Sequence, residues 1–408
     1  MDATVDVKFR TEDARAVLAA IDPEETIAFL RALVRAPSVN PPGDVVEAMA
    51  VCEQPLAAAG FAVRTLAHAP GKPNLVAEWG PDGGPVLCFN AHLDVVPTGD
   101  ERAWTHPPFA AELVDGRVYG RGAGDDKASV TAQVMGALAL ARSGVPLRGK
   151  LVVTEVADEE TTGDGALHLI AAAGLRPDGV IVGEQTLNRV AIGEKGSAGA
   201  EITVSGRTAH GALPWEGANA IEAMARVIVA LGDELQPRLA ERTHPYFKPS
   251  SASVNMIAGG VKVNVVPDRC SIQIDRRIIP GEDPAQVIAE IREVAEGAVA
   301  GLPGIGVEVN ASPGAGAATM SDPDGPLTRA MLAANAHLGL SPALTGFSMA
   351  TDGRHFAAAG YPTIIYGPGD PRLAHVPDEW VGVDEVLEAT RAYALAALAL
   401  LGDAAAES

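Results

Sequence analysis

The chain is 408 residues long, enough for two domains, and its 47% apolar and 20% charged content marks a globular protein rather than a disordered one. Thirty-one basic against 52 acidic side chains leave a formal charge of −21, which argues against nucleic acid or an anionic membrane as a partner. Clustered carboxylates in such a chain could still hold a cation.

Cys52, Cys88 and Cys270 are odd in number and far apart, so they offer neither a disulfide framework nor a CxxC zinc pattern. The first residues carry charges where a signal peptide needs an apolar core. The longest apolar run, near 392–401, is too short to span a bilayer. A cytoplasmic location is the expectation.

In chain order, Asp22 caps a first helix, Pro23 fits its first turn, Glu25 completes a capping box, and the helix runs to about Val34. A turn-rich segment, 37–43, comes next. A second helix is expected from Asp44 to Gly60, with Pro55 placed to kink or break it. Strands are expected at 61–66 and 74–78. The apolar run from Val86 then reads as a buried strand that stops at His92, Leu93 and Asp94. Side chains two apart in extended chain share a face, and the carboxyl end of a buried strand is where open α/β sheets place their sites.

The glycine-rich stretch 119–127 leads into a helix to Ser143, stopped by Gly144. A strand at 151–157 runs into Asp158, Glu159 and Glu160, a helix covers 165–173, and a strand at 179–183 ends at Glu184. This alternation predicts an α/β fold, a mostly parallel sheet with helices on both faces. The rhythm changes near Val190: an alternating strand at 198–205, a helix at 218–231, strands at 253–257, 261–265 and 270–278, a helix at 283–298 and a strand at 305–310. This predicts a small α+β domain inserted into the first. Residues 313–317 read as the return linker, and a helix at 326–338, a strand at 363–366 and a helix from Asp384 restore the α/β pattern. The expected boundaries are 1–189, 190–312 and 313–408.

Four features are each ordinary alone: His92 with Asp94 as a hydrogen-bonded pair, Asp125-Asp126 as a helix cap, Glu159-Glu160 as solvated charge, and His375 as a loop histidine. Their shared context changes that. His92, Glu159-Glu160 and Glu184 each follow an apolar strand, and His375 closes the loop after 363–366. In a parallel sheet such ends gather on one edge. One histidine per metal plus carboxylates suits a pair of divalent ions, Asp125 is available to bridge them, and an extra carboxylate beside a ligand has the position of a general base.

The motifs HLDVVP, YGRGAGDDK, ADEE and VGE, the stretch from Gly206 to His210, then GGVKVNVVPD, DRRIIPGE and AH-x-PDE occur in that order over about residues 25–400. The ordered set resembles the aminoacylase/carboxypeptidase family of metallo-amidohydrolases, which includes acetylornithine deacetylase, succinyl-diaminopimelate desuccinylase and glutamate carboxypeptidase. The resemblance implies that His92 and Glu184 hold one metal, that Glu160 and His375 hold the other, and that Asp125 bridges them, followed by a cis peptide to Asp126. It implies Asp94 as the residue orienting His92 and Glu159 as the general base. It makes the inserted domain a lid and dimerisation domain, with His210 reaching an active site, often from the partner subunit, to bind the oxyanion. Asn264 and Arg277 match positions that bind the carboxylate side of a substrate, and Arg354, Gly346 and Gly369 match substrate loops. Arg276 would face away as a surface charge. His106, His168 and His355 are expected to be structural.

Gln185 stands where the family usually has proline, Lys127-Ala128-Ser129 replaces a more usual Lys-Gly-Gly, and 347–350 occupies a loop that often selects substrate. None of these removes a ligand; they leave the substrate open. The implied function is a metal-dependent hydrolase of an N-acyl or peptide-like amide beside a free carboxylate. The implied cofactors are two divalent ions, zinc first, with cobalt or manganese able to replace it; a homodimer is the implied assembly. The alternatives are an aminohydrolase or dipeptidase on the same site, or a non-catalytic binding protein of the same fold.

Overall fold

The structure, a computed structural model, describes residues 9–403 except 313 and 315, so the expected return linker lies partly outside the described residues. The described residues fall into two compact units. The larger takes the chain up to Gly193, then Ser321–Thr345 and everything from Thr351 on; the smaller is Glu194–Met320 with Gly346–Ala350.

The larger unit is built on an eight-stranded sheet, in the order Ala62–Ala69, Lys72–Trp79, Lys150–Val156, Val86–His92, Gly179–Gly183, Thr363–Tyr366, Val190–Glu194, Leu344–Phe347. Its centre is parallel: Val86–His92 pairs with Lys150–Val156 on one side and Gly179–Gly183 on the other, and Gly179–Gly183 pairs with Thr363–Tyr366. Antiparallel pairs flank this centre. Only Pro70 and Gly71 separate the strands Ala62–Ala69 and Lys72–Trp79, and a two-residue link can join only antiparallel neighbours. The parallel strands are joined through helices.

Those helices cover both faces. A Cβ on Gly183 would stand 2.6 Å from Ser129 Cβ, in the helix Lys127–Arg142. The adjacent Val182 faces the other way, toward Gly353 in the helix Gly353–Ala358. Lys127–Arg142 has 14 of its 16 residues buried, which is why its sequence shows no polar stripe. It meets the last helix, Val383–Leu401, at Gly136, where a Cβ would stand 3.0 Å from the Thr390 carbonyl. Gln133, inside this packing, donates to Asn90 O at 3.0 Å and to the Tyr393 hydroxyl at 3.1 Å.

Asp22 caps the helix Pro23–Arg35 by accepting from Glu24 N and Glu25 N. The Glu25 carboxylate pairs with Arg142 at 2.7 Å. The helix Val46–Ala58 runs through Pro55 without ending. A helix at Thr11–Ala19 precedes both; it buries only Ala14 and Val17, too little apolar patterning to announce itself.

In the smaller unit the strands Ser251–Gly259, Arg269–Ile278, Ala200–Ser205 and Gly306–Ala311 form an antiparallel sheet, with Gly196–Ser197 also pairing to Arg269–Ile278. The helices Ala220–Ala230 and Pro284–Val299 complete a core that includes Ile202, Val204, Met224, Val227, Ile272, Ile274 and Ile291. Two expectations fail here. The expected strand at 261–265 is a turn, and only Val265–Val266 pairs, with Ala209–His210. Its alternation had no partner to bury against, and Val261 and Val263 are 87% and 101% exposed. Arg276 is fully buried rather than a surface charge. Strand alternation sets it on the inner face with Ile272, Ile274 and Ile278, and Glu282, itself paired with Arg242, neutralises it. Among the described residues, no helix is long and apolar enough to cross a membrane.

Candidate metal centre

The centre lies wholly in the larger unit, at the carboxyl ends of its parallel strands. His92 ends its strand 3% exposed, with Nε2 3.3 Å from Asp125 Oδ1. The other Asp125 oxygen lies 3.3 Å from His375 Nε2, which is also 3.2 Å from Glu160 Oε2. Ligand atoms of His92, Asp125 and Glu160 lie within 4.8 Å of one another, and so do those of His92, Glu159 and Glu184. Glu184 comes directly after Gly183 and is 7% exposed. Glu160 Oε1 is buried without a partner. Two imidazoles and four carboxylates, one of them with an orphaned oxygen, form a donor set that fits divalent cations of the borderline-to-hard kind.

Asp126 turns away from this cluster; its Oδ2 accepts from His92 N at 3.4 Å, and its peptide bond to Asp125 is cis. Asp94 contributes through two different groups. Its main-chain oxygen sits 2.9 Å from His92 Nδ1, whereas its carboxylate is 3.8 Å from that nitrogen. The carboxylate instead accepts from Glu159 N at 3.2 Å and Glu160 N at 3.3 Å, holding the turn that carries both glutamates.

The turn bearing Asp125 is held from beneath by Glu379. One Glu379 oxygen accepts from Gly124 N and Asp125 N at 2.9 and 3.0 Å, and the other pairs with Arg121 at 2.5 Å. Glu379 and Arg121 are 0% and 2% exposed, so this is a buried pair with every lost hydration bond to replace. In the sequence both residues stand inside the ordered motifs, yet nothing local gives either a role. The signal available was their charge in otherwise apolar and glycine-rich surroundings.

The other candidates lie elsewhere. His210 and Asn264 are exposed in the smaller unit and adjoin each other, since Gly211 N donates to Asn264 O at 2.8 Å. His210 Nδ1 accepts from Ala212 N. Arg277, on the strand Arg269–Ile278, is held by Asp275 at 2.9 Å. Gly346 abuts the Phe247 ring. In the larger unit Arg354 is half-buried, its Nε 3.3 Å from His355 Nε2, and Gly369 packs near Gln185. Asp352, missed by sequence reasoning, is 1% exposed with both carboxylate oxygens unpartnered, and burial pushes it up to about 7. His106 stacks on Tyr119 and pairs with Glu112, a structural role.

The titration of the cluster reflects its crowding. Bonds from Asp125 and then Glu160 push His375 up to about 10. Burial disfavours the His92 imidazolium, but the Asp125 bond and the charges of Glu159 and Asp126 outweigh it and push His92 well above its ordinary value. Removal from water raises Glu159 and Glu184 as well. The cradle on its own therefore keeps protons at neutral pH that cations must displace. Calorimetric titration with zinc in buffers of different ionisation heat should show net proton release, with affinity rising as pH rises. A binding heat independent of buffer would contradict this.

Residues 88–399 match the model described as peptidase family M20/M25/M40. A succinyl-diaminopimelate desuccinylase from a Caulobacter species is 34% identical over 380 residues, 90% of this chain and 94% of the relative. A tripeptidase from Staphylococcus aureus superposes with a TM-score of 0.76 at 20% identity, covering 93% of this chain and 99% of that one. A dinuclear metal-binding peptidase from Bacillus subtilis does so with 0.69 at 20%, covering 93% and 98%. At such identities the two structures speak to the fold. The family match spans well over half the chain and its relatives align nearly end to end, so the chain belongs to the peptidase family M20/M25/M40 and is a metal-dependent amide hydrolase.

Proposed function

We propose that the chain removes an acyl group from an N-acylated amino acid, cleaving the amide beside a free carboxylate. The observation that carries this is Asp125, whose two oxygens face His92 and His375, while the Glu159 carboxylate is grouped with His92 and Glu184 in a second cluster that shares this histidine. The desuccinylase relatives support an N-succinyl amine as the first substrate to try. In this reading His92 and Glu184 would hold one ion, Glu160 and His375 the other, and Asp125 would serve both. Zinc suits the mixed nitrogen and oxygen donors, with cobalt or manganese able to substitute.

Divalent ions there would polarise an amide carbonyl and acidify a water. As a water oxygen bonds to the amide carbon, Glu159 would take up a proton of that water and pass it to the amide nitrogen, so that the C–N bond breaks to give a carboxylic acid and a neutral amine. A carboxyl with a raised pKa is suited to hold a proton between those two moments. Asp94 keeps the Glu159 turn and the His92 ring in step through one residue. In the same proposal His210 donates to the developing oxyanion, and Asn264, Arg277 and Arg354 take the substrate carboxylate, a guanidinium fork matching both its oxygens. Three free, buried cysteines fit a reducing compartment, the cytoplasm.

The test is hydrolysis of N-succinyl-diaminopimelate, N-acetylornithine, other N-acyl amino acids and dipeptides, with and without a chelator. Turnover of an acylated amino acid, abolished by chelation and restored by zinc or cobalt, is expected. Turnover of dipeptides alone would favour the dipeptidase alternative, and a chain that binds no divalent ion would sink the proposal.

A homodimer through the smaller unit belongs to the same proposal. Ser251–Gly259 is an edge strand whose Met256 and Ile257 are 61% and 62% exposed, and the helix Ala220–Ala230 exposes Val229 at 60%. An uncovered apolar edge invites pairing, and a two-fold axis lets one edge serve both copies. Ile257→Lys should leave folding intact and shift the particle mass from dimer to monomer by light scattering. A wild-type monomer would overturn the assignment.

A further inference from the structure

Resting on the hydrolase reading, we infer that Asn40, acting with Asp158, is a positioning residue that sets Glu159 against His92. Two buried carboxylates, Asp94 and Asp158, approach the same side-chain amide. Asn40 is 4% exposed, and its Nδ2 donates to Asp94 Oδ2 at 2.8 Å and to Asp158 Oδ1 at 2.9 Å. A side-chain amide has two N–H donors, and here each is spent on an anion that would otherwise repel its neighbour.

The consequences reach the chemistry through two short paths. Asp94 receives the main-chain N–H of Glu159 and Glu160 on its carboxylate and faces the His92 ring with its carbonyl. Asp158 opens the same turn: it adopts a φ of +68°, and its carbonyl accepts from Gly163 N at 2.8 Å. Lys72 Nζ donates at 2.6 Å to the same Asp158 oxygen that Asn40 reaches, and His68 Nε2 lies 2.8 Å from the other. The turn bearing the glutamates thus hangs between Asp94 and Asp158, and the Asn40 amide joins the two.

Asn40 is itself immobilised. Its N–H donates to Val95 O at 2.8 Å, Ser38 Oγ donates to Leu93 O at 2.6 Å, and Gly43 N closes the turn onto Val39 O at 2.9 Å. Gly43, at φ +78°, packs so closely that a Cβ there would stand 2.9 Å from the Asn40 side chain. The 38–43 segment therefore lies along 93–95 with its amide aimed at one point.

The test compares Asn40→Ala with Asn40→Asp in the metal-replete enzyme. Aspartate has the shape of asparagine but replaces the donor with a third carboxylate, so packing and donation predict opposite outcomes. Asn40→Ala should lower kcat by about 10–100-fold, the usual cost of losing a partner behind a site residue. Asn40→Asp should lower it further, with KM and metal content held within about twofold in both. Amide hydrogen exchange should rise at 158–163 in both variants. Lys72→Met, at the solvent-facing end of the chain of contacts, should show the same pattern in smaller measure if Asn40→Asp does not fold. Wild-type turnover in Asn40→Asp, or unchanged exchange at 158–163, overturns the inference. The exchange readout needs no substrate, so a wild-type chain that hydrolyses nothing in the panel would sink the hydrolase reading and leave this comparison standing.

Discussion

Glu159→Gln should bind its divalent ions like the wild-type chain and lose about 10²–10⁴-fold in kcat, the range a positioned acid–base group supplies. The substitution preserves size and removes only the ability to take and return a proton. The alternative role is specific: a Glu159 oxygen lies in one cluster with His92 and Glu184, so it is close enough to be a ligand itself. A ligand and a base separate cleanly. Metal analysis by mass spectrometry beside kcat decides between them, because loss of an ion in Glu159→Gln would make it a ligand, and near-wild-type turnover would remove it from the reaction.

Glu379→Ala should destabilise the larger unit by about 3–5 kcal/mol, the cost of stranding a buried charge. Arg121 loses its counter-charge, and Gly124 N and Asp125 N lose their acceptor at once. Replacing Glu379 and Arg121 together by apolar residues should cost less than the sum of the two single changes, since neither charge is then left alone. Denaturant midpoints report both effects, and a loss under about 1 kcal/mol in Glu379→Ala would show that the pair does not hold the turn. Because the same turn presents Asp125, metal affinity should fall with stability.

Much of the centre was legible because strand and site are written in the same stretches. Val86–His92 and Gly179–Gly183 are apolar along their length, and a ligand-type residue, His92 or Glu184, stands at the end of each. The illegible part depends on partners distant in the chain. Asn40 and Asp158 are 118 residues apart, and an asparagine before two prolines reads locally as a turn and nothing more. Arg276 looked like surface because alternation gives a face but not what lies across it; Glu282, past the next turn, supplies that. Val261 and Val263 alternate like a strand, yet a strand exists only where a second one accepts its hydrogen bonds. One antiparallel edge of the main sheet likewise hinges on a two-residue link between Ala69 and Lys72, a detail of spacing rather than of hydrophobic pattern.

The two histidines of the cradle differ in one respect that chemistry alone would not suggest. His92 is sealed at 3% exposure, whereas the His375 side chain is 53% exposed. A donor leaves a cation when another molecule takes its place, and water can reach His375 but not His92. On the proposed ligand assignment, the two halves of the centre would be alike in composition and unequal in lability. Dialysis against a chelator should empty the His375 side first, leaving a half-filled protein whose remaining ion would be the one held by His92, Glu184 and Asp125.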